Sequence, residues 1–395
     1  MIDGFDMAYY HTTDMPVMRQ MAREGFFKPG SAIFPSLTNA NNVSIACGSW
    51  PERHGVTTNC YYDQDQDKAV YLESPDFLQA PTIFDFAALD GGRESALLTC
   101  KSKTTMILGQ SATIAIAAEK PSPEVVEKYG TPPPMYSSEI NYWLFDVAMD
   151  LACNRPELDV IYVHTTDYPM HMWPPEAPES QEHLKKLDEY FGAFHEAAPE
   201  FTIAVTADHG MNYKKRCWNL ARACASRGVN LKFAVSPLAD RLLKHHGGFG
   251  GVAYVYLNDP ADRDRAAETL MTLEGVEAVL DADEAAHRYS LMPSRVGDLV
   301  VLADPHTVFG DPEEECRELP AEYRSHGSLY DMDVPLLLFN YGDLAPQYRD
   351  INYNVDLTRV LFGTERTIEG HGHPEGGRGN APQDRPAAPS EAADK

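Results

Sequence analysis

The 395-residue sequence contains no apolar run of the roughly 18 residues that a membrane-crossing helix needs, which excludes a helical membrane span. It is short of positive charge: 33 Lys and Arg stand against 59 Asp and Glu, a net charge of −26. Nucleic acids and anionic lipid surfaces are bound through a basic footprint, so neither is expected as a partner. A small anionic substrate must then be drawn in by local cations or metals against the global field. Cysteine is sparse and scattered. The seven thiols (Cys47, Cys60, Cys100, Cys153, Cys217, Cys224 and Cys316) are odd in number and form no C-x-x-C pair. They read as reduced thiols, neither a disulfide frame nor a zinc-thiolate site, with a Cys217–Cys224 bridge the one pairing left open. There is no internal repeat, and no signal peptide precedes the first motif, although the sequence reads as beginning part-way through a strand. A cytoplasmic location is the expectation.

Apolar residues make up 43% of the chain, enough for a large core. Short apolar, β-branched runs at 31–37, 95–99, 158–164, 201–207, 299–303 and 334–339 read as strands, with helical patterns at 15–24, 83–89, 139–153 and 180–195. Strands apolar throughout and alternating with helices specify an α/β fold whose mostly parallel sheet is covered on both faces. In such sheets the ligand site lies outside the carboxyl ends of the strands. Residues 232–294 read differently, as a strand at 252–257, a helix at 261–272 and a strand at 276–280. They are expected to form a small α+β insertion or cap on a main domain of residues 1–231 and 295–363. Residues 364–395 lack periodicity and read as a disordered tail. The opening Met1-Ile-Asp3-Gly4 reads as the last residues of a strand. A buried strand normally carries about four apolar residues before such a point, so part of it is expected upstream, with Asp3 on a frayed end.

The polar residues that follow these strands carry the chemistry. Asp167-Tyr-Pro-Met-His171 sets a carboxylate and an imidazole four residues apart, on one side of a helical turn. Thr206-Ala-Asp208-His209-Gly210 presents adjacent ligands at a strand end. Arg324-Ser-His326-Gly327 and Asp3-Gly4 are the third and fourth such sites. Each alone has a plain structural explanation: an i,i+4 surface pair, a capped turn, a loop. Four of them at strand ends bring three Asp and three His together, which suits two zinc ions held by nitrogen and oxygen. Thr38 opens a helical pattern directly after an apolar run. Its hydroxyl is either a simple N-cap or, beside a metal, a nucleophile stabilised as an alkoxide by the helix N-terminus.

Taken in order, Asp3-Gly, Pro35-Ser-Leu-Thr38-Asn-x-x-Asn-x-Ser-Ile with Gly48 and Pro51-Glu-Arg-His54-Gly, Asp167-x-x-x-His171, Asp208-His209-Gly-Met and His326-Gly resemble the alkaline phosphatase superfamily. Within it they are similar to the branch of nucleotide pyrophosphatase/phosphodiesterases and phosphonoacetate hydrolase. The resemblance runs over about residues 1–340 and implies an alkaline-phosphatase-like three-layer sandwich with two Zn2+ per chain. One ion would be held by Asp3, Thr38, Asp208 and His209, the other by Asp167, His171 and His326, with Thr38 as nucleophile. Lys101 and Lys103, a solvated turn when read alone, resemble the lysine pair of phosphonoacetate hydrolase. Asn59 resembles its substrate-binding Asn, His171 joins that group, and Lys244-His-His246-Gly-Gly is also similar. The implied reaction is hydrolysis of phosphonoacetate to acetate and phosphate through a phosphothreonine. The alternative is a phosphodiesterase or nucleotide pyrophosphatase, with Tyr61, Tyr62 and Trp173 available for a nucleoside pocket. A non-catalytic binding domain with a decayed site is the third reading. Partners reduce to a small phosphonate, with a homodimer as the candidate assembly.

Overall fold

A computed structural model describes residues 1–89, 92–240, 247–342 and 351–363; the 364–395 tail and Lys244-His-His246 lie outside the described residues. The central sheet has a parallel half and an antiparallel half. In the first, Glu94–Thr99 pairs in parallel with Ile114–Ala117 and with Leu158–His164. Its side chains alternate between two cores. Ala96 and Leu98 pack with Ile140, Leu144 and Val147 of the helix Glu139–Asn154. Leu97 packs with Val43 of the helix Thr38–Cys47 and Phe84 of the helix Ile83–Leu89. Burial on both faces is why Ala96-Leu97-Leu98 runs apolar without alternation. In the antiparallel half, Asp333–Phe339 lies between Phe26–Ser31 and Ile203–Val205.

Residues 1–3 bridge the two halves. The Met1 ammonium donates to Val163 O at 2.8 Å. Thr165 N–H donates to Met1 O at 3.3 Å and Ile2 N–H to Thr206 O at 2.9 Å. Asp3 is therefore clamped on both sides and fully buried, not frayed.

Two further strand expectations are corrected. The 31–37 run is not a strand: Phe26–Ser31 is, and the apolar residues Ala32, Ile33 and Phe34 are buried in irregular backbone. Phe26–Ser31 contains Pro29 and lies at the sheet's edge, where a missing N–H costs no ladder bond. The run Leu299–Ala303 belongs to a second, wholly antiparallel sheet ordered Leu231–Val235, Val252–Leu257, Leu299–Ala303, Val276–Asp281. All five of its residues are buried, and such a run reads the same in either sheet. Helices Leu220–Ser226 and Arg263–Met271 cover this sheet through Leu220, Ala223, Ala266 and Leu270.

Helix Pro178–Ala197 packs on Pro16–Glu24 and Glu139–Asn154, which in turn pack on the central strands. Thr38–Cys47, Ile83–Leu89 and Asn354–Phe362 form a second group. The result is the α/β sandwich expected. All seven thiols are free. No described helix is long and apolar enough to cross a membrane.

Candidate active site

Strand ends and one helix start meet at a single point. Asp167 follows the parallel strand Leu158–His164 and stands at the N-terminal boundary of the short helix Tyr168–Met172, making no side-chain capping bond to it, and that helix sets His171 one turn on. Asp208 and His209 follow Ile203–Val205, and His326 follows Arg324–Ser325. Gly4 passes this crossing at φ 74°, where a Cβ would meet Met170 Cβ at 3.1 Å. That conformation aims its N–H at Asp208 Oδ1, 3.0 Å away.

Thr38 is the first residue inside its helix, with Leu37 at the cap position. Its hydroxyl is thus not an N-cap. Thr38 Oγ1 lies 3.2 Å from His209 Nε2. His209 Nε2 in turn lies 3.4 Å from both Asp3 Oδ1 and Asp208 Oδ2. Ligand atoms of Asp3, Asp208 and His209 fall within 4.8 Å of one another, as do those of Asp167, His209 and His326. His209 therefore stands between the two cradles. His171 joins the second through Asp167, with Nε2 3.0 Å from Asp167 Oδ2, while remaining outside that triad.

The protons on these rings follow from their partners. Nδ1 of His209, His326 and His171 lies 3.0, 2.7 and 3.0 Å from the carbonyls of Gly210, Ser36 and Arg324. A carbonyl only accepts, so each Nδ1 carries the hydrogen and each Nε2 presents a bare lone pair. Those lone pairs face carboxylates. Asp3 Oδ1 and Asp208 Oδ2 are buried with no hydrogen-bond partner. Buried, unpaired acceptors facing one another are costly unless a cation lies between them. Backbone carbonyls fixing the far nitrogen of each ring are the usual support of imidazole ligands. The residues present thus fit a divalent metal in each cradle.

The electrostatics agree. Burial, then the charges of Asp167 and Asp208, push the Asp3 carboxyl up to about 6. Burial raises Asp208 and lowers His209. Burial, with the facing His209 and His171, holds His326 well below the usual imidazole range. Burial opposes the charge on Lys101, yet Asp167, Asp3 and Asp208 push its pKa above that of an ordinary lysine. Its Nζ lies 3.5 Å from both Asp3 Oδ2 and Asp167 Oδ1.

A cavity of about 50 Å³ opens over this point, lined among others by Thr38, Asn59, Lys101, Lys103 and His326. Three features in and behind this site escaped the sequence. Asn39 donates to Asn59 Oδ1 at 2.7 Å and so orients the Asn59 amide. Asp240 accepts from Lys103 Nζ at 2.6 Å. His164, behind Asp3, is fully buried. The cluster of Asn in the first turn of a helix was the one available signal, since Asn is a poor interior helix former. Tyr61 and Tyr62 line a separate cleft beside Arg295, and Trp173 lies away from both, its carbonyl accepting from Tyr9 OH.

The sequence profile of type I phosphodiesterase / nucleotide pyrophosphatase matches residues 1–329. The chain belongs to this family. An ectonucleotide pyrophosphatase/phosphodiesterase of Caenorhabditis elegans is 23% identical over 86% of the chain, and human family member 1 is 24% identical over 53%. The chain spans 43% and 23% of the length of those relatives. Among solved structures, phosphonoacetate hydrolase from Sinorhizobium meliloti 1021, crystallised with phosphonoacetate, superposes at a TM-score of 0.80 with 28% identity, over 92% of this chain and 93% of that one. Murine ectonucleotide pyrophosphatase/phosphodiesterase 5 in complex with AMP superposes at 0.66 with 17% identity over 92% of each chain, a likeness of fold. The fold is that of the alkaline phosphatase superfamily, within which this family falls.

Proposed function

We propose that the chain is a zinc-dependent hydrolase of the carbon–phosphorus bond of phosphonoacetate, releasing acetate and phosphate. The observation that carries this reading is that Lys101 and Lys103 line the same small cavity as Thr38 and Asn59. Two ammonium groups beside the nucleophile suit a substrate bearing a carboxylate as well as a phosphonate. The likeness to the Sinorhizobium meliloti enzyme supports the same choice.

Two metal ions, held by Asp3, Asp208 and His209 with Thr38 and by Asp167, His326 and His171, would supply charge neutralisation at phosphorus and a lowered pKa for the Thr38 hydroxyl. Thr38 Oγ attacks phosphorus as the carbon–phosphorus bond breaks, and the protein is left with a phosphothreonine. The bonding pair leaves with the methylene carbon and delocalises into the substrate carboxylate, where Lys101 and Lys103 offset the charge. The Thr38 hydroxyl gives up its proton as it attacks, and the methylene carbon takes up one proton from solvent in exchange, which completes acetate. Water then cleaves the phosphothreonine, which returns the hydroxyl and releases phosphate. The Asn59 amide, turned by Asn39, donates to a phosphonate oxygen. Tyr61 and Tyr62, the rings available to flank a nucleoside, line another cleft, which favours a compact substrate over a nucleoside diester.

The test is a panel of phosphonoacetate, phosphonopyruvate, an aryl phosphate monoester and a nucleotide diester on the zinc-loaded protein. Phosphate and acetate in equal amounts from phosphonoacetate are expected. Turnover of the diester with none of phosphonoacetate would replace this reading by the phosphodiesterase one.

A further inference from the structure

Four imidazoles border the two cradles, and one is turned the opposite way. His209, His326 and His171 carry their hydrogen on Nδ1 and aim a bare Nε2 inward. His164, fully buried at the end of the strand Leu158–His164, faces Asp3 Oδ2 through Nε2 at 3.3 Å. Its Nδ1 lies 2.8 Å from Asn42 Nδ2, 3.0 Å from Thr99 Oγ1 and 3.3 Å from Thr104 Oγ1. The Asn42 amide is oriented in turn by Tyr162, whose OH lies 2.6 Å from Asn42 Oδ1. That length suits O–H···O and is short for N–H···O, so the Asn42 oxygen faces Tyr162 and its NH2 faces the imidazole. An amide nitrogen only donates, so His164 Nδ1 accepts and Nε2 carries the hydrogen.

We propose that the buried relay Tyr162–Asn42–His164 is a positioning device for Asp3. It fixes Oδ2 by a hydrogen bond from His164 Nε2–H and leaves Oδ1 directed at the cation cradle. Asp208 is handled by the same logic with backbone donors. Gly4 N–H and His209 N–H hold its Oδ1 at 3.0 and 3.1 Å, and its Oδ2 faces His209 Nε2. Each carboxylate thus has one oxygen held and one offered. The offered pair, Asp3 Oδ1 and Asp208 Oδ2, are both buried without a hydrogen-bond partner. Asn42 and Thr104 are reached from separate helices, so the relay ties the nucleophile's helix to the ligand. His164 touches no reacting atom and acts through Asp3.

The inference rests on the metal-hydrolase reading, and the test separates the two. Zinc affinity of the chelator-stripped protein is measured by competition with a chromophoric chelator, for wild type, His164→Leu, His164→Gln and Tyr162→Phe, with the melting temperature of each stripped protein alongside. Wild type is expected to bind two zinc ions. His164→Leu is expected to lose about 10–100-fold in affinity at one site and to keep the other. His164→Gln, which keeps an N–H near the Nε2 position, is expected to recover most of the loss, and Tyr162→Phe to show a smaller one. Equal zinc affinity in His164→Leu and wild type would overturn the relay and leave the metal reading intact. So would a Gln variant as weak as Leu with an unchanged melting temperature. Failure of wild type to bind zinc would overturn both.

Discussion

The imidazoles of His209 and His326 stack face to face, with ring centroids 3.5 Å apart and planes 9° from parallel. Each is pinned from behind by a backbone carbonyl, and the two come from different strand ends. His209 contributes to both cradles, so its tilt is shared between them. Removing the neighbouring ring leaves His209 free to lean.

His326→Ala is therefore expected to weaken zinc binding in both cradles rather than one, by about ten-fold or more where the ligand itself is lost and less in the other. A two-site zinc titration checks this. Loss confined to a single site, with the other unchanged, would show that the stacking carries no coupling.

Thr38 lies inside the helix start with its hydroxyl toward His209, while Leu37 occupies the cap. Replacing the hydroxyl should cost chemistry without costing the fold. Thr38→Ala is expected to lower kcat by at least about 1,000-fold, as removal of a nucleophile does, with stability changed by under about 1 kcal/mol. Thr38→Ser is expected to keep measurable turnover. Steady-state kinetics and a thermal melt decide it, and a Thr38→Ala protein with near-normal kcat would exclude nucleophilic attack by this residue.

Much of this site was legible because its ligands are local to strand ends. Asp167 and His171 sit one helical turn apart, Asp208 and His209 are adjacent, and Thr38 opens a helix, all patterns that chain spacing preserves. What holds those ligands was not legible. His164 reads as the last residue of a buried strand, and its partners Asp3, Asn42, Thr99 and Thr104 lie 161, 122, 65 and 60 residues away. Asp240 meets Lys103 across 137 residues. For the fold, burial misled where periodicity was absent. Residues 32–34 are as buried as any strand yet irregular, and the real edge strand Phe26–Ser31 hides behind Pro29 and Gly30.

The ion pair between Lys103 Nζ and Asp240 Oδ2, 2.6 Å long with both side chains largely buried, occupies the cation proposed for the substrate carboxylate. Asp240 then competes with the substrate for Lys103. Asp240→Asn is expected to lower KM for phosphonoacetate, on the order of ten-fold, with little change in the inhibition constant of methylphosphonate, which has no carboxylate and is read as a competitive inhibitor. Lys103→Ala is expected to raise KM for phosphonoacetate selectively. Equal shifts in the phosphonoacetate KM and the methylphosphonate inhibition constant in either variant would show that the pair serves the fold and not selectivity.

His183 is buried on the helix Pro178–Ala197, where burial lowers its pKa from 6.5 to about 4. Tyr142 OH lies 3.0 Å from Nδ1, and Nε2 has no hydrogen-bond partner. His54 behaves alike, lowered to about 3 by burial and then by the Arg295 charge. An imidazole depressed in the folded state takes up its proton first on unfolding. Between pH 6.5 and the folded values the unfolded chain binds more protons, so stability rises with pH through that window. The contribution is complete above pH 6.5 and is lost on acidification, at about 1.4 kcal/mol per pH unit for each ring. His183→Phe deletes the His183 contribution alone. Comparing variant and wild type at each pH cancels His54 and the carboxylates and depressed imidazoles of the metal cradles, which titrate in both. The stability difference from denaturant melts is expected to move in favour of His183→Phe as pH falls from 6.5 toward 4, and a difference flat with pH would mean that this ring is protonated in the folded protein.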